Sequence, residues 1–161
     1  MIILGFDPGL AATGYGAILC KHATPSLITC GSIKTSPRDH VSRRLFQIHT
    51  DINTLIHSLH PDLIAVENVY SLVRYPRAGI LLGGVLGIIY LSVFTHETSM
   101  VELTPREVKK SLSGYGAADK FQMKAAVKRL LNIDNIQSSH ASDALAIALT
   151  AYYRKSFRVT R

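Results

Sequence analysis

Asp7, Glu67, His140 and Asp143 are the residues of this sequence that could do chemistry together. Asp7 closes the apolar run IILGF, Glu67 closes DLIAV, and His140 and Asp143 stand three positions apart in SSHASDALAIAL. Three carboxylates and an imidazole form a ligand set for hard divalent cations, which prefer oxygen donors and, for Mg²⁺, keep several waters. Two such ions about 4 Å apart activate a water and stabilise the leaving oxygen of a phosphodiester in an in-line displacement. Taken singly, the residues have plainer roles. Asp7 forms a turn before Pro8-Gly9, strands commonly end in polar residues, and Asp143 complements a helix N-terminus capped by Ser138 or Ser139. His140 does not fit that account, because a cation at a helix N-terminus is disfavoured.

For the four to meet, the elements that carry them must converge. Met1 to Phe6, Gly14 to Cys20 and Leu27 to Ile33 read as strands joined by short turns. Ser36-Pro37 looks like a helix cap, and Val41, Leu45, Ile48, Ile52, Leu55, Ile56 and Leu59 recur at helical spacing until Pro61. Asp62 to Val66 and Ser99 to Leu103 are two further strands, each leading into a helix. Thr104-Pro105-Arg106-Glu107 has capping-box spacing with proline at the first helical position. A basic amphipathic helix follows from about Lys120 to Leu131, and the HASDALAIAL helix comes last. The order βββαβαβ followed by helices implies an α/β fold, a five-stranded mixed β-sheet with its antiparallel part first and α-helices on both faces. Ligands of such sheets gather at the carboxyl ends of the parallel strands, where Asp7 and Glu67 lie.

The chain has 161 residues, 47% of them hydrophobic, with 18 Lys and Arg against 11 Asp and Glu, a formal charge of +7 and a pI near 9.6. One globular domain with a polyanionic partner suits those values. No basic segment precedes the first apolar run, so no signal peptide is expected. Cys20 and Cys30 imply a reducing compartment. In a hairpin turning near Ala23 and Thr24, Cys20 faces Leu27 and Cys30 faces Ala17, which leaves the two cysteines unbridged. Ala78 to Thr95 is uncharged over 18 residues, at the lower limit for a membrane span. Its glycines and lack of a partner span favour a buried helix. Gly79, Gly83 and Gly87 bare one face for close packing against a sheet or a second subunit.

Four blocks, ILGFDPGLAATGYG from Ile3, IAVENVY from Ile64, PREVKKSLSGYGAADK from Pro105 and HASDALAIAL from His140, closely resemble the RuvC family of bacterial Holliday-junction resolvases, within the ribonuclease H-like superfamily. The resemblance runs from about Met1 to Tyr153 and implies a ribonuclease H-like nuclease domain over residues 1–154, followed by a basic tail over 155–161. It implies a cytoplasmic, homodimeric, Mg²⁺-dependent endonuclease that nicks two strands of like polarity across a four-way DNA junction, in recombination and repair, beside a branch-migration complex of the RuvA and RuvB type. Asp7, Glu67 and Asp143 match the family's catalytic carboxylates, and His140 takes a fourth position where many members have Asp. With two metals per subunit, His140 either binds the second or relays the proton of the attacking water. Nitrogen ligation suits Mn²⁺ somewhat better than Mg²⁺, so Mn²⁺ is expected to substitute.

By the same resemblance, Lys109 and Lys120 match basic positions near the cleaved strand, and Tyr70 falls where the family places an aromatic that stacks on unpaired bases. Ser71 to Gly79 departs most from the family pattern and carries Arg74 and Arg77, also assigned to DNA. From Arg106 to Arg129 seven basic residues, Lys110 among them, face only Glu107 and Asp119. Such residues make binding steeply salt-dependent; Lys124, Lys128 and Arg129 are instead read as an ordinary solvated helix face. Sugar-kinase and actin-like ATPases share the DxG and TG opening but need two such domains. A related nuclease acting on RNA or replication intermediates, and a non-catalytic nucleic-acid-binding module, stay open as alternatives.

Overall fold

The computed structural model describes residues 1–21, 24–68 and 76–156, with side chains described to Arg154. Among these, β1 (Ile2–Asp7), β2 (Ala12–Lys21), β3 (Thr24–Lys34), α1 (Val41–Leu59), β4 (Leu63–Glu67), α2 (Pro76–Thr95), β5 (Ser99–Leu103), α3 (Pro105–Ser113), α4 (Lys120–Leu131) and α5 (Ser139–Ser156) follow in order. The five strands form one sheet in the order β3-β2-β1-β4-β5. β1 pairs antiparallel with β2 and parallel with β4; β4 pairs parallel with β5. The expected mixed sheet is therefore present, with its antiparallel portion first.

Alternation along the strands decides which face each side chain serves. Leu4, Phe6, Ile64 and Val66 turn to the face covered by α1 and α2, where Ile48, Ile52, Val85 and Ile89 complete one core. Ile3 and Ala65 turn to the opposite face, packing with Leu145 and Ala148 of α5 and with residues of α3 and α4. Because β1 and β4 pair as Gly5↔Ala65 and Phe6↔Val66, the next step sets Asp7 beside Glu67 on the α5 face.

The approach of α5 depends on missing side chains. A Cβ on Gly5 would lie 2.2 Å from the Ala144 carbonyl oxygen, and one on Gly14 would lie 2.1 Å from that of His140. On Gly16 it would meet Leu145 Cγ at 2.7 Å. These three glycines make a flat patch on β1 and β2, against which α5 presses the backbone of His140, Ala144 and Ala148 and the side chain of Leu145.

Three details of the sequence reading need correction. Ser36 caps a turn, not the helix: its hydroxyl accepts from Arg38 N at 3.2 Å, its carbonyl from Asp39 N at 3.1 Å, and α1 begins at Val41 with His40 as N-cap. The hairpin register also differs. Lys21 pairs with Thr24, which sets Cys20 against Pro25, and a bulge between Ala17 and Ile18 sets Cys30 against Gly16; no disulfide joins the two cysteines. Finally, α2 is only partly covered. Val85, Ile89, Ser92 and Val93 pack inward, but a Cβ on Gly83 or Gly87 would meet nothing within 4 Å, and Ile80, Leu91 and Phe94 are exposed. The glycine face thus does not rest on the sheet. A hydrogen-bonded link from Asn53 to Ser92 and His96 ties α1 to α2 instead.

Candidate active site

Each acidic side chain reaches the site for a local reason. β1 ends at Asp7 because Pro8 donates no N–H to the ladder. The turn beyond is pinned by Thr13 Oγ1 donating to the Gly9 carbonyl at 2.8 Å and by Thr35 Oγ1 donating to that of Leu10 at 2.6 Å. β4 ends at Glu67, where the buried Asn68 fastens it to β5: Asn68 N donates to the Leu103 carbonyl at 2.8 Å, and its carboxamide donates to Glu102. Asn68 is a positioning residue that the sequence reading passed over, although a polar residue directly after Glu67 was the available signal. α5 starts at the Ser138 cap, which accepts from Ala141 N at 3.0 Å. Its first turn then directs Asp143 into the cavity and His140 to the cavity's rim.

Asp7, Glu67 and Asp143 line one cavity of about 240 Å³ together with Lys109, Lys120, Pro105, Val108, Met123 and Ala146. His140 Nδ1 lies 2.9 Å from Asp7 Oδ2, its side chain 47% exposed against 17% for Asp7. Lys109 comes from the capped helix α3, where Thr104 and Glu107 close the expected capping box. Lys120 opens α4, whose own box is made by Asp119 and Gln122. The other DNA-binding expectations fare differently. Lys110 faces away, lining a second cavity with Leu103, Glu107 and Tyr153. Arg77 is exposed in the first turn of α2, outside the carboxylate cavity. Tyr70 and Arg74 lie outside the described residues.

The electrostatics are those of like charges crowded in a partly dry place. Burial raises the Asp7 pKa, opposed by the His140 hydrogen bond and by the charges of His140 and Lys120. Glu67 is pushed up to about 7, first by burial, then by the charges of Asp7 and Asp143, against a lowering by Lys109. Asp143 is raised by burial and by Asp7, opposed by Lys120 and His140. Each carboxylate thus destabilises its neighbours' charge. An oxygen-preferring cation placed among them relieves that repulsion, so the donor chemistry fits a divalent metal. Among the described residues, no three His, Cys, Asp or Glu side chains stand close enough, as placed, to ligate one ion.

Glu67 makes stability depend on pH in a direction that can be measured. Its folded pKa, about 7, lies above the ordinary 4.5, so the folded chain keeps a proton that the unfolded chain has released. Stability of the metal-free protein therefore falls as pH rises from about 4.5 to about 7 and levels off above. With a discount for the solvent-facing part of the carboxylate, the effect is ~2 kcal/mol. Urea unfolding in chelator is expected to show Glu67→Gln more stable than the parent by ~2 kcal/mol at pH 8, with no gain at pH 4. An equal gain at both pH values would show that the carboxylate's charge is not the cause.

Comparison with known proteins places this site in context. The family model described as crossover junction endodeoxyribonuclease RuvC matches residues 3–151. A crossover junction endodeoxyribonuclease RuvC from Caldicellulosiruptor saccharolyticus is 37% identical over 151 residues, covering 92% of this chain and 90% of that protein. The one from Natranaerobius thermophilus is 34% identical over 150 residues and 92% of each chain. Among solved structures, Thermus thermophilus RuvC in complex with a Holliday junction substrate superposes with a TM-score of 0.90, at 31% identity over 98% of this chain and 96% of that one.

Proposed function

Since the chain belongs to the RuvC family of crossover junction endodeoxyribonucleases, we infer that it is a metal-dependent nuclease that resolves four-way DNA junctions. The observation that carries this reading is the meeting of Asp7, Glu67 and Asp143 in one cavity with Lys109 and Lys120. Three carboxylates flanked by two cations suit a phosphodiester held against a divalent ion.

In the finer reading, Asp7, Glu67 and Asp143 hold two Mg²⁺ per subunit, with Mn²⁺ able to substitute. The ions supply Lewis acidity toward the scissile phosphate and the attacking water. The chain's own residues do the rest. Lys109 and Lys120 bind the phosphates that flank the cut and keep the backbone over the carboxylates. His140 keeps Asp7 oriented through its Nδ1 contact and serves either as a further ligand or as the group that takes up a proton. Burial of the carboxylates limits competing water.

Paired incision requires two sites related by symmetry, so the active form is a homodimer. The uncovered face of α2 is the proposed interface; bare Gly83 and Gly87 and exposed Ile80, Leu91 and Phe94 support it. Residues 1–154 form the nuclease domain, 155–161 a basic tail, and the resolvase works in the cytoplasm beside a RuvA- and RuvB-type branch-migration complex. α2 has the length and hydropathy of a membrane span. The activity on DNA for which this chain's relatives are named favours a soluble, intracellular protein.

The test is a substrate panel: four-way junction, linear duplex and RNA–DNA hybrid, with Mg²⁺ and with chelator. The expected result is cleavage of the junction alone, and only with metal. Preferential cleavage of the hybrid, or cleavage in chelator, would overturn the reading.

A further inference from the structure

Among the described residues, the exposed large apolar side chains outside β3 fall into two groups. Phe46, Ile80, Leu91 and Phe94 belong to α1 and α2, where a second subunit is proposed to dock. Tyr115 and Phe121 stand on the opposite face of the sheet, in the loop from α3 to α4 and in the first turn of α4, 66% and 83% exposed. Neither ring contributes to a core, and neither has a place in the chemistry described above.

Both rings are held out on fixed backbone. Tyr115 N donates to Ser113 Oγ at 3.2 Å, while the single proton of that hydroxyl is shared between the carbonyls of Lys109 and Tyr115, at 2.7 and 2.9 Å. The Tyr115 carbonyl also accepts from Ala118 N at 3.2 Å. Gly116 lets Arg106 lie across the loop, since a Cβ there would come within 3.2 Å of Arg106 Cγ. Phe121 is the second residue of a helix whose capping box is complete. A large aromatic ring exposed on backbone that is already held in place meets a partner with no further loss of main-chain entropy.

Their surroundings name the partner. Phe121 directly follows Lys120, which lines the carboxylate cavity. Tyr115 lines a neighbouring cleft of about 370 Å³ with Arg129, Gln122 and Ser113. Arg106, Lys109, Lys120 and Arg129 give this face the sign of charge that phosphates seek. Exposed aromatic rings among cations are what unstacked nucleobases require, because every base has a π-face and every linkage a negative charge.

We propose that Tyr115 and Phe121 form a stacking platform for unstacked bases of the DNA strand that enters the carboxylate cavity. The proposal rests on the junction-nuclease reading and adds to it two binding residues. The platform holds the strand by its bases while Lys109 and Lys120 hold it by its phosphates, so the backbone is gripped on both sides of the cut. Stacking of this kind is indifferent to base identity, so the platform positions the strand without selecting a sequence.

The test is junction binding by the full chain in Ca²⁺, measured as a function of salt. Tyr115→Ala and Phe121→Ala are each expected to weaken binding about tenfold, with the slope of log affinity against log salt unchanged, because no phosphate contact is removed. Phe121→Trp should restore binding, whereas Lys120→Ala should flatten the slope. Parent affinity in both alanine variants, a changed slope, or conversion of a dimer to a monomer by Phe121→Ala would overturn the platform alone. A parent chain that binds duplex and junction equally, and weakly, would overturn the junction reading and the platform with it.

Discussion

Asp7→Asn is expected to lower single-turnover junction cleavage by about 10³-fold or more while leaving junction binding at least as tight as the parent's. Asp7 is the centre of the cluster: its charge raises both Glu67 and Asp143, and it takes the His140 contact. Asparagine keeps the size and one oxygen but removes the charge that a divalent cation needs. The same loss of charge makes the cavity less repulsive to phosphate, so affinity should not suffer. Cleavage within about tenfold of the parent, with metal dependence intact, would mean that Asp7 is not a metal ligand. Glu67→Gln and Asp143→Asn should follow the same pattern.

Gly5→Ala is expected to cost ~3 kcal/mol or more of stability, a fall in Tm of about 10 °C. The added methyl would sit 2.2 Å from the Ala144 carbonyl oxygen and 2.9 Å from Ala148 N. Both neighbours are backbone atoms of α5, so no side-chain rotation relieves the clash. The helix must lift from the sheet, and His140 and Asp143 lift with it, so activity should fall further than stability alone accounts for. Gly84→Ala is the control. Its Cβ would meet Leu45 at an ordinary 3.7 Å inside a helix, where alanine is favoured by up to ~1 kcal/mol. Thermal unfolding of the two variants at one pH compares them directly; a Gly5→Ala protein as stable as the parent would show that α5 does not depend on the glycine patch.

That glycine patch shows what the sequence could and could not reveal. Period-2 alternation in IILGFD and LIAVE carries Asp7 and Glu67 to the same face, and the i, i+3 spacing carries His140 and Asp143 to one side of a helix; both are written in the pattern of residue types. The closeness of α5 to β1 and β2 is not local. It depends on Gly5, Gly14 and Gly16 meeting Ala144, His140 and Leu145, more than a hundred positions away, which pairing of distant segments alone reveals. Ser36-Pro37 carries a helix-start signal that a turn uses equally well, so the sequence alone does not separate the two. The bulge after Ala17 leaves no mark in the sequence, and its extra residue changes the partner of Cys30, while the shifted turn changes that of Cys20. The bare face of α2 was legible as a stripe of glycines, but whether sheet or solvent lies opposite is decided by the packing of α1. Lys109 and Lys110 are adjacent in sequence and alike in chemistry, yet the helical turn sends one into the carboxylate cavity and the other to the far side of α3.

The central claim is that this site makes paired cuts at a four-way junction. The most direct measurement maps both nicks on a junction with differently labelled strands, in Mg²⁺, and treats the products with ligase. The account predicts two cuts at symmetry-related positions on strands of like polarity, giving nicked duplexes that the ligase seals. Single, unpaired or scattered cuts, or ends that resist ligation, would contradict it.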